Sequence, residues 1–258
     1  MAASNPATSI APAAARSRLR RRFAVLSVVT AASGLALTGL AIPGAGATAF
    51  SGSGCAAVNI ITARASTEQA GEGITGNLVT QIVNNSTQTV SRESVNYPAT
   101  LTNYASSEMQ GVQNAEQELT TAVQNCPAQK QVLLGYSQGA EVVMDVIAGN
   151  SEVAGGGNVQ AVSTTISSHV VAIANFGDPG HVVNQNWDLG TATQKGLFPR
   201  NATQLQVLAS FGGSSKIAAW CDSGDPFCAG GNNTQVHLTY LNRYQNNAAS
   251  FVLGKIGG

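Results

Sequence analysis

Gly135-Tyr136-Ser137-Gln138-Gly139 sets a serine between two glycines, after an apolar run and before a segment, 141–147, that reads as a helix rich in Val and Ile. This is the context of a nucleophile elbow, a sharp strand-to-helix turn that holds a hydroxyl clear of the backbone. Glycines two residues either side avoid clashes with the neighbouring strand and helix. The helix N-terminus that follows offers free N–H groups and the positive end of a dipole, both suited to an oxyanion. A serine hydroxyl is a weak nucleophile at neutral pH until a base takes its proton. The three histidines are His169, His181 and His237. His169 abuts the apolar run Val170–Ala174 and reads as a half-buried structural residue. His181, after Asp178-Pro179-Gly180, reads as a solvated loop residue. His237 stands just before the last helix and completes the chain order serine, acid, histidine, so it is the candidate base.

Asp178, Asp222 and Asp225 all lie between Ser137 and His237. Asp178 follows a predicted strand and can reach the end of the sheet. Asp222 and Asp225 lie within Cys221-Asp222-Ser223-Gly224-Asp225-Pro226-Phe227-Cys228, a Gly- and Pro-containing loop able to close on itself. An acid that fixes an imidazole's tautomer and orientation benefits from a rigid loop. Order and rigidity favour the ring but leave Asp222 and Asp225 undivided.

Positioning these groups requires a scaffold, and the pattern of the body supplies one. Short, mostly apolar runs at 58–63, 131–134, 170–174 and 216–220 read as strands, and 90–95, halted by Tyr97-Pro98, is a further candidate. Between them, 76–83, 104–124 and 141–147 carry apolar residues at helical spacing, and Leu241, Tyr244, Ala248, Phe251 and Val252 mark a closing helix. Continuous apolar strands alternating with helices indicate a parallel sheet covered on both faces. No internal repeat is present, and the glycine-rich stretch 154–158 is too short for an interdomain linker, so one α/β domain is expected. Trp187 and Trp220 read as structural.

The four cysteines, Cys55, Cys126, Cys221 and Cys228, form an even set with three connectivities open. The economical pairing is Cys221–Cys228 with Cys55–Cys126. The second would close a long loop, worth roughly 3–5 kcal/mol on the chain-entropy model. No Cys-x2-Cys pair supports a zinc site. Such bridges suit an exported chain, and the N-terminus agrees. Arg16, Arg18, Arg20, Arg21 and Arg22 precede a mostly apolar run, 23–42, and the small residues Ala45-Gly46-Ala47-Thr48-Ala49. Basic, apolar and Ala-x-Ala regions in that order describe a secretory signal over residues 1–49, cut after Ala47 or Ala49. Arg20-Arg21-Arg22-Phe23 also resembles a twin-arginine signal. The alternative is a membrane anchor, but serines, threonines and glycines dilute the run. The remaining part, residues 50–258, is expected to be extracellular and monomeric, with no stable membrane insertion.

The whole chain of 258 residues balances 13 Lys+Arg against 13 Asp+Glu, at only 10% charged and 43% hydrophobic. That excludes a disordered chain and offers no basic excess for nucleic acid. Without residues 1–49, eight basic residues face thirteen acidic ones, a net charge of −5. Asn85-Ser86-Thr87, Asn201-Ala202-Thr203 and Asn232-Asn233-Thr234 have the form of glycosylation acceptors.

The elbow Gly135–Gly139, the ring Cys221–Cys228, and His237 in Gln235-Val236-His237-Leu238-Thr239-Tyr240 together resemble the cutinase family. That family groups cutinases, acetylxylan esterases and cutinase-like esterases of actinobacteria. Ala63-Arg64-Ala65-Ser66-Thr67-Glu68 and Asn96-Tyr97-Pro98-Ala99 match as well, so the likeness runs from about Cys55 to the C-terminus. It implies a small lidless α/β-hydrolase-like domain with a five-stranded parallel sheet and the two disulfides paired as above. Carried over, the nucleophile falls on Ser137, the base on His237 and the acid on Asp225. The oxyanion hole falls on the backbone N–H of Gln138 and on Ser66. Ala65, where many cutinases have glycine, is a departure that bears on the shape of that hole. Asp178 matches a recurring Gly-Asp-Pro that is not the triad acid. The implied reaction is hydrolysis of a carboxylic ester through an acyl-enzyme, with no metal or organic cofactor. Cutin-like polyesters or short to medium acyl esters are the expected substrates, with acetylated xylan the near rival. A silent binding protein on the same scaffold is the reading from another class.

Overall fold

The computed structural model describes residues 54–149 and 159–257. The expected signal, residues 1–49, and the glycine-rich stretch 154–158 lie outside them. Strands β1 (Val58–Ala63), β2 (Val90–Ser94), β3 (Lys130–Tyr136), β4 (Val170–Phe176), β5 (Asp188–Gly190) and β6 (Ile217–Cys221) form one sheet in the order β2-β1-β3-β4-β6-β5. Every pairing is parallel. A parallel sheet with both faces covered requires strands that are apolar throughout, and all six residues of β1 and five of β6 are buried.

Six strands stand where five were expected. The additional one, β5, has three residues and pairs with the edge of β6 through Asp188 and Ala219 to Gly190 and Cys221. Asp-Leu-Gly is too short to show any alternation, and pairing with β6 is what makes it a strand.

Helices α1 (Gly76–Asn85) and α7 (Tyr240–Ile256) cover one face. They bury Leu78, Val79, Ile82 and Val83 against Val252 and Ile256. Helices α2 (Tyr104–Asn125), α3 (Gln138–Ala148) and α5 (Ala202–Phe211) cover the other, where Val112, Leu119, Val143 and Leu208 meet Ile61, Leu133 and Ile173. Short helices α4 (Thr164–Ser167) and α6 (Thr234–Leu238) complete the element order. Asn201, one of the glycosylation-type asparagines, caps α5: its side chain accepts from Gln204 N–H while Gln204 returns a bond to the Asn201 N–H.

Strand order reverses between β1 and β3, since β1 leads outward to β2 on one side and β3 to β4 on the other. Open parallel sheets present a crevice at the carboxyl ends of the strands at such a point. The loop after β1 and the turn after β3, which carry Ser66 and Ser137, both open there. Cys55–Cys126 and Cys221–Cys228 are both bridged, with Cα separations of 5.7 and 6.0 Å.

Candidate active site

Ser137 sits between β3 and α3 with φ 54° and ψ −122°, a conformation that non-glycine residues rarely adopt. Holding it costs of order 1–3 kcal/mol, supplied by the surrounding packing. Its N–H is tied to the Phe176 carbonyl at the end of β4, at 2.8 Å. The flanking glycines are required by space: a Cβ on Gly139 would lie 2.0 Å from the Ala63 carbonyl oxygen, and one on Gly135 2.4 Å from that of Gly139. This close approach of α3 to the end of β1 brings the turn against the Ser66 loop.

His237, in α6, and Asp225, in the disulfide ring, are both buried, and His237 Nδ1 lies 2.7 Å from Asp225 Oδ2. An ionised carboxylate only accepts, so Nδ1 carries the proton and Nε2 is left as an acceptor. Asp225 is held on all sides. Its Oδ1 accepts from Phe227 N–H at 2.7 Å and Cys228 N–H at 3.2 Å, and its Oδ2 also accepts from Tyr240 at 2.9 Å. Burial alone would raise this carboxyl, but the bonds from His237, Phe227 N–H and Tyr240 outweigh it and leave it below the ordinary aspartate value. Asp222 is turned to other work, accepting from Thr191 N–H, Arg243 and Tyr244. Gly177, at φ +64°, lets the imidazole lie on bare backbone: a Cβ there would sit 2.7 Å from His237 Cε1.

The loop after β1 is braced from inside. The buried Arg64 guanidinium donates to the carbonyls of Glu68, Val95 and Tyr97, and Tyr97 donates back to the Arg64 carbonyl. The Glu68 carboxylate accepts from Ala65 and Ile74 N–H groups, both at 2.7 Å. Thr67, at φ 70°, donates its N–H to Ala99. Ser66 Oγ is buried there with no hydrogen-bond partner. Gln138 opens α3, so its N–H lacks an intrahelical acceptor, while its side chain is engaged with Ser107, Thr100 and Tyr104.

Ser66, Ser137 and His237 line one cavity of about 370 Å³. Its remaining wall is mostly apolar, formed by Leu101, Tyr104, Leu197, Phe198, Phe227 and Leu238 among others. Leu101, Leu197 and Leu238 are more than half exposed, although they are large and apolar.

The cutinase family model matches residues 54–256, which takes in this entire arrangement. The chain belongs to the cutinase family.

Members of the cutinase family are carboxylic ester hydrolases, and the relatives of this chain carry such names. It is 30% identical to acetylxylan esterase 2 of Talaromyces purpureogenus, over 79% of this chain and 88% of the relative. It is equally 30% identical to the phospholipase Culp4 of Mycobacterium tuberculosis, over 92% of both. The catalytic core domain of the Trichoderma reesei acetylxylan esterase superposes with a TM-score of 0.70 at 28% identity, covering 78% of this chain and 99% of that one.

Among the other polar residues of this cutinase-family chain, His169 precedes β4, half-buried as expected, at the opposite end of the strands from Ser137. His181, expected in solvent, is buried, with Nδ1 3.6 Å from Asp188 Oδ1. Burial lowers its pKa and raises that of Asp188 to about 6. Asp178 accepts from Gly180 N–H and from Arg200, which also holds Asp145. Glu108 and Glu141, fully buried on α2 and α3, complete a carboxyl cluster around that arginine. Burial first, then Asp145, raises the Glu108 pKa to about 8. Glu141 is raised well above its ordinary value by burial and accepts from the cavity residue Tyr104 at 2.5 Å. Trp187 and Trp220 are buried as expected. Among the described residues no helix is long and apolar enough to cross a membrane.

Proposed function

We propose that Ser137, His237 and Asp225 form the catalytic triad of an exported, monomeric esterase acting on short to medium acyl esters. The observation that carries the reading is that the strained serine and the carboxylate-paired imidazole line one apolar cavity. His237 Nε2 takes the Ser137 proton as Oγ attacks the ester carbonyl, and Asp225 stabilises the imidazolium. The N–H of Gln138 and the unpaired hydroxyl of Ser66 receive the oxyanion, each donor worth roughly 3–4 kcal/mol in the transition state by analogy with single-donor deletions. His237 then protonates the leaving alcohol, and water attacking the acyl-enzyme returns the serine. No step requires a cofactor.

The cavity wall favours an acyl chain over a sugar: a volume of about 370 Å³ exceeds an acetyl group, and exposed leucines with Phe198 and Phe227 make up more of the wall than the hydroxyl-bearing Tyr104, Tyr136 and Thr234. The phospholipase relative, named for a lipid ester, agrees with that preference. The acetylxylan esterase likeness supports the rival. A p-nitrophenyl ester series from acetate to octanoate separates them. Activity rising to butyrate or beyond supports acyl esters, and activity confined to acetate supports the sugar esterase. Ser137→Ala must abolish turnover in either case. Residues 1–49 are proposed as the export signal, and the two disulfides suit the compartment it leads to.

A further inference from the structure

Two tyrosines meet at His237, and neither belongs to the triad. Tyr136 immediately precedes Ser137 at the end of β3, and Tyr240 opens α7 three residues after His237. Both are buried. The Tyr136 hydroxyl donates to the His237 backbone carbonyl and accepts from Tyr240 N–H at 3.4 Å. The Tyr240 hydroxyl accepts from Asp222 N–H at 2.7 Å and donates to Asp225 Oδ2 at 2.9 Å, the oxygen that also holds His237 Nδ1.

We propose that Tyr136 and Tyr240 are positioning residues that bolt the imidazole–carboxylate pair to the nucleophile's own strand. This rests on the triad reading above. The need for such a bolt follows from the local structure. His237 lies in a five-residue helix, too short to hold a side chain by its own backbone cooperativity. The two rings close a corner around the imidazole, Tyr136 edge-on at 5.8 Å between centroids and Tyr240 at 6.3 Å, while Phe227 closes a third side at 4.4 Å. Because Tyr136 is covalently next to Ser137, any shift of the His237 backbone must break a bond to the residue beside the nucleophile.

The two hydroxyls act on different quantities. Tyr136 governs where the base stands relative to Ser137. Tyr240 governs how strongly Asp225 pulls on it, since one carboxylate oxygen shared between two donors is a weaker acceptor for each. Burial raises both phenol pKa values, so the hydroxyls remain donors across the working range of an esterase.

Phenylalanine keeps each ring and removes only the hydroxyl. Tyr136→Phe is expected to lower kcat roughly 10–100-fold on p-nitrophenyl butyrate with KM unchanged, the scale associated with a displaced catalytic group. Tyr240→Phe is expected to move the acid limb of the kcat/KM profile to higher pH, because the freed Asp225 oxygen holds the imidazolium more firmly. In the same variant the His237 Nδ1 proton, read by NMR without substrate in a Ser137→Ala background, moves downfield. Thermal unfolding of each variant reports any loss of folded protein. If both variants hydrolyse the ester at the wild-type rate, with the acid limb and the Nδ1 proton unmoved, the proposal is overturned and the triad stands. Loss of rate explained wholly by the unfolded fraction also overturns it. If Ser137→Ala leaves turnover intact, the triad reading falls and the proposal with it.

Discussion

Replacing Glu108 by glutamine should stabilise this protein above neutral pH and leave it nearly unchanged at pH 5. The side chain is fully buried on α2, and burial together with Asp145 raises its pKa to about 8, against an ordinary value of 4.5. A carboxyl whose folded pKa lies above its unfolded one contributes stability that is complete below the unfolded value and lost as pH climbs through the folded one. Between those values each pH unit costs the fold about 1.4 kcal/mol. From pH 5 to pH 8 the wild type should therefore lose roughly 3–4 kcal/mol through this group alone. Glutamine keeps the shape and cannot ionise, so Glu108→Gln escapes that loss. For a chain of this size the difference corresponds to about 7–14 °C in unfolding temperature at pH 8. Paired thermal scans of the two proteins at half-unit steps from pH 5 to 8.5 measure it. Asp188 lowers both curves alike, whereas Glu141, whose pKa the Glu108 charge helps to raise, is relieved in the variant and widens the gap in the same direction. Curves that run parallel across the range would refute the reasoning.

Three further outcomes follow from packing and bonding. Arg200→Leu leaves Asp145 and Asp178 buried without their cation, and should cost about 3–5 kcal/mol in urea unfolding. Gly139→Ala places a methyl 2.0 Å from the Ala63 carbonyl oxygen. It should abolish soluble expression or reduce ester turnover at least 100-fold, the scale of a one-ångström misplacement, and full activity in a folded variant would contradict the geometry. Replacing Cys221 and Cys228 together by serine frees the ring that orients Asp225. Ester turnover should fall well before the unfolding midpoint does, and a loss of stability with kcat unchanged would assign the bridge a purely mechanical role.

The elbow was readable because its requirement is local: two glycines, a serine, a strand before and a helix after. Four of the five longer strands were readable for the same reason, each a mostly apolar run, whereas β2 is a polar edge strand marked by little more than Val90, Val95 and the Tyr97-Pro98 that follows. Choosing between Asp222 and Asp225 was a different matter, since both lie in one small ring. What separates them is the set of partners: Phe227 N–H, Cys228 N–H, His237 and Tyr240 for one, Thr191, Arg243 and Tyr244 for the other. No spacing rule encodes that choice, and only the family resemblance pointed to Asp225. The burial of His181 escaped for a related reason, because Asp188 comes from the edge strand β5, itself too short to read. The carboxyl cluster draws Glu108 from α2, Glu141 and Asp145 from α3, Asp178 from a loop and Arg200 from the approach to α5. Apart from Asp178, its members are unremarkable in sequence, and all of them meet only through tertiary packing. Tyr136 and Tyr240 stood inside motifs already singled out, yet nothing in those motifs says where a phenol hydroxyl will point.

The triad is tested most directly by a fluorescent alkyl phosphonate, which reacts only with a serine activated by a neighbouring base. Wild-type protein should take up one equivalent, lose its ester turnover in step, and yield a single modified peptide bearing Ser137, while Ser137→Ala and His237→Ala stay unlabelled. Labelling that persists in Ser137→Ala, or a wild type that hydrolyses esters but resists the phosphonate, would contradict the account.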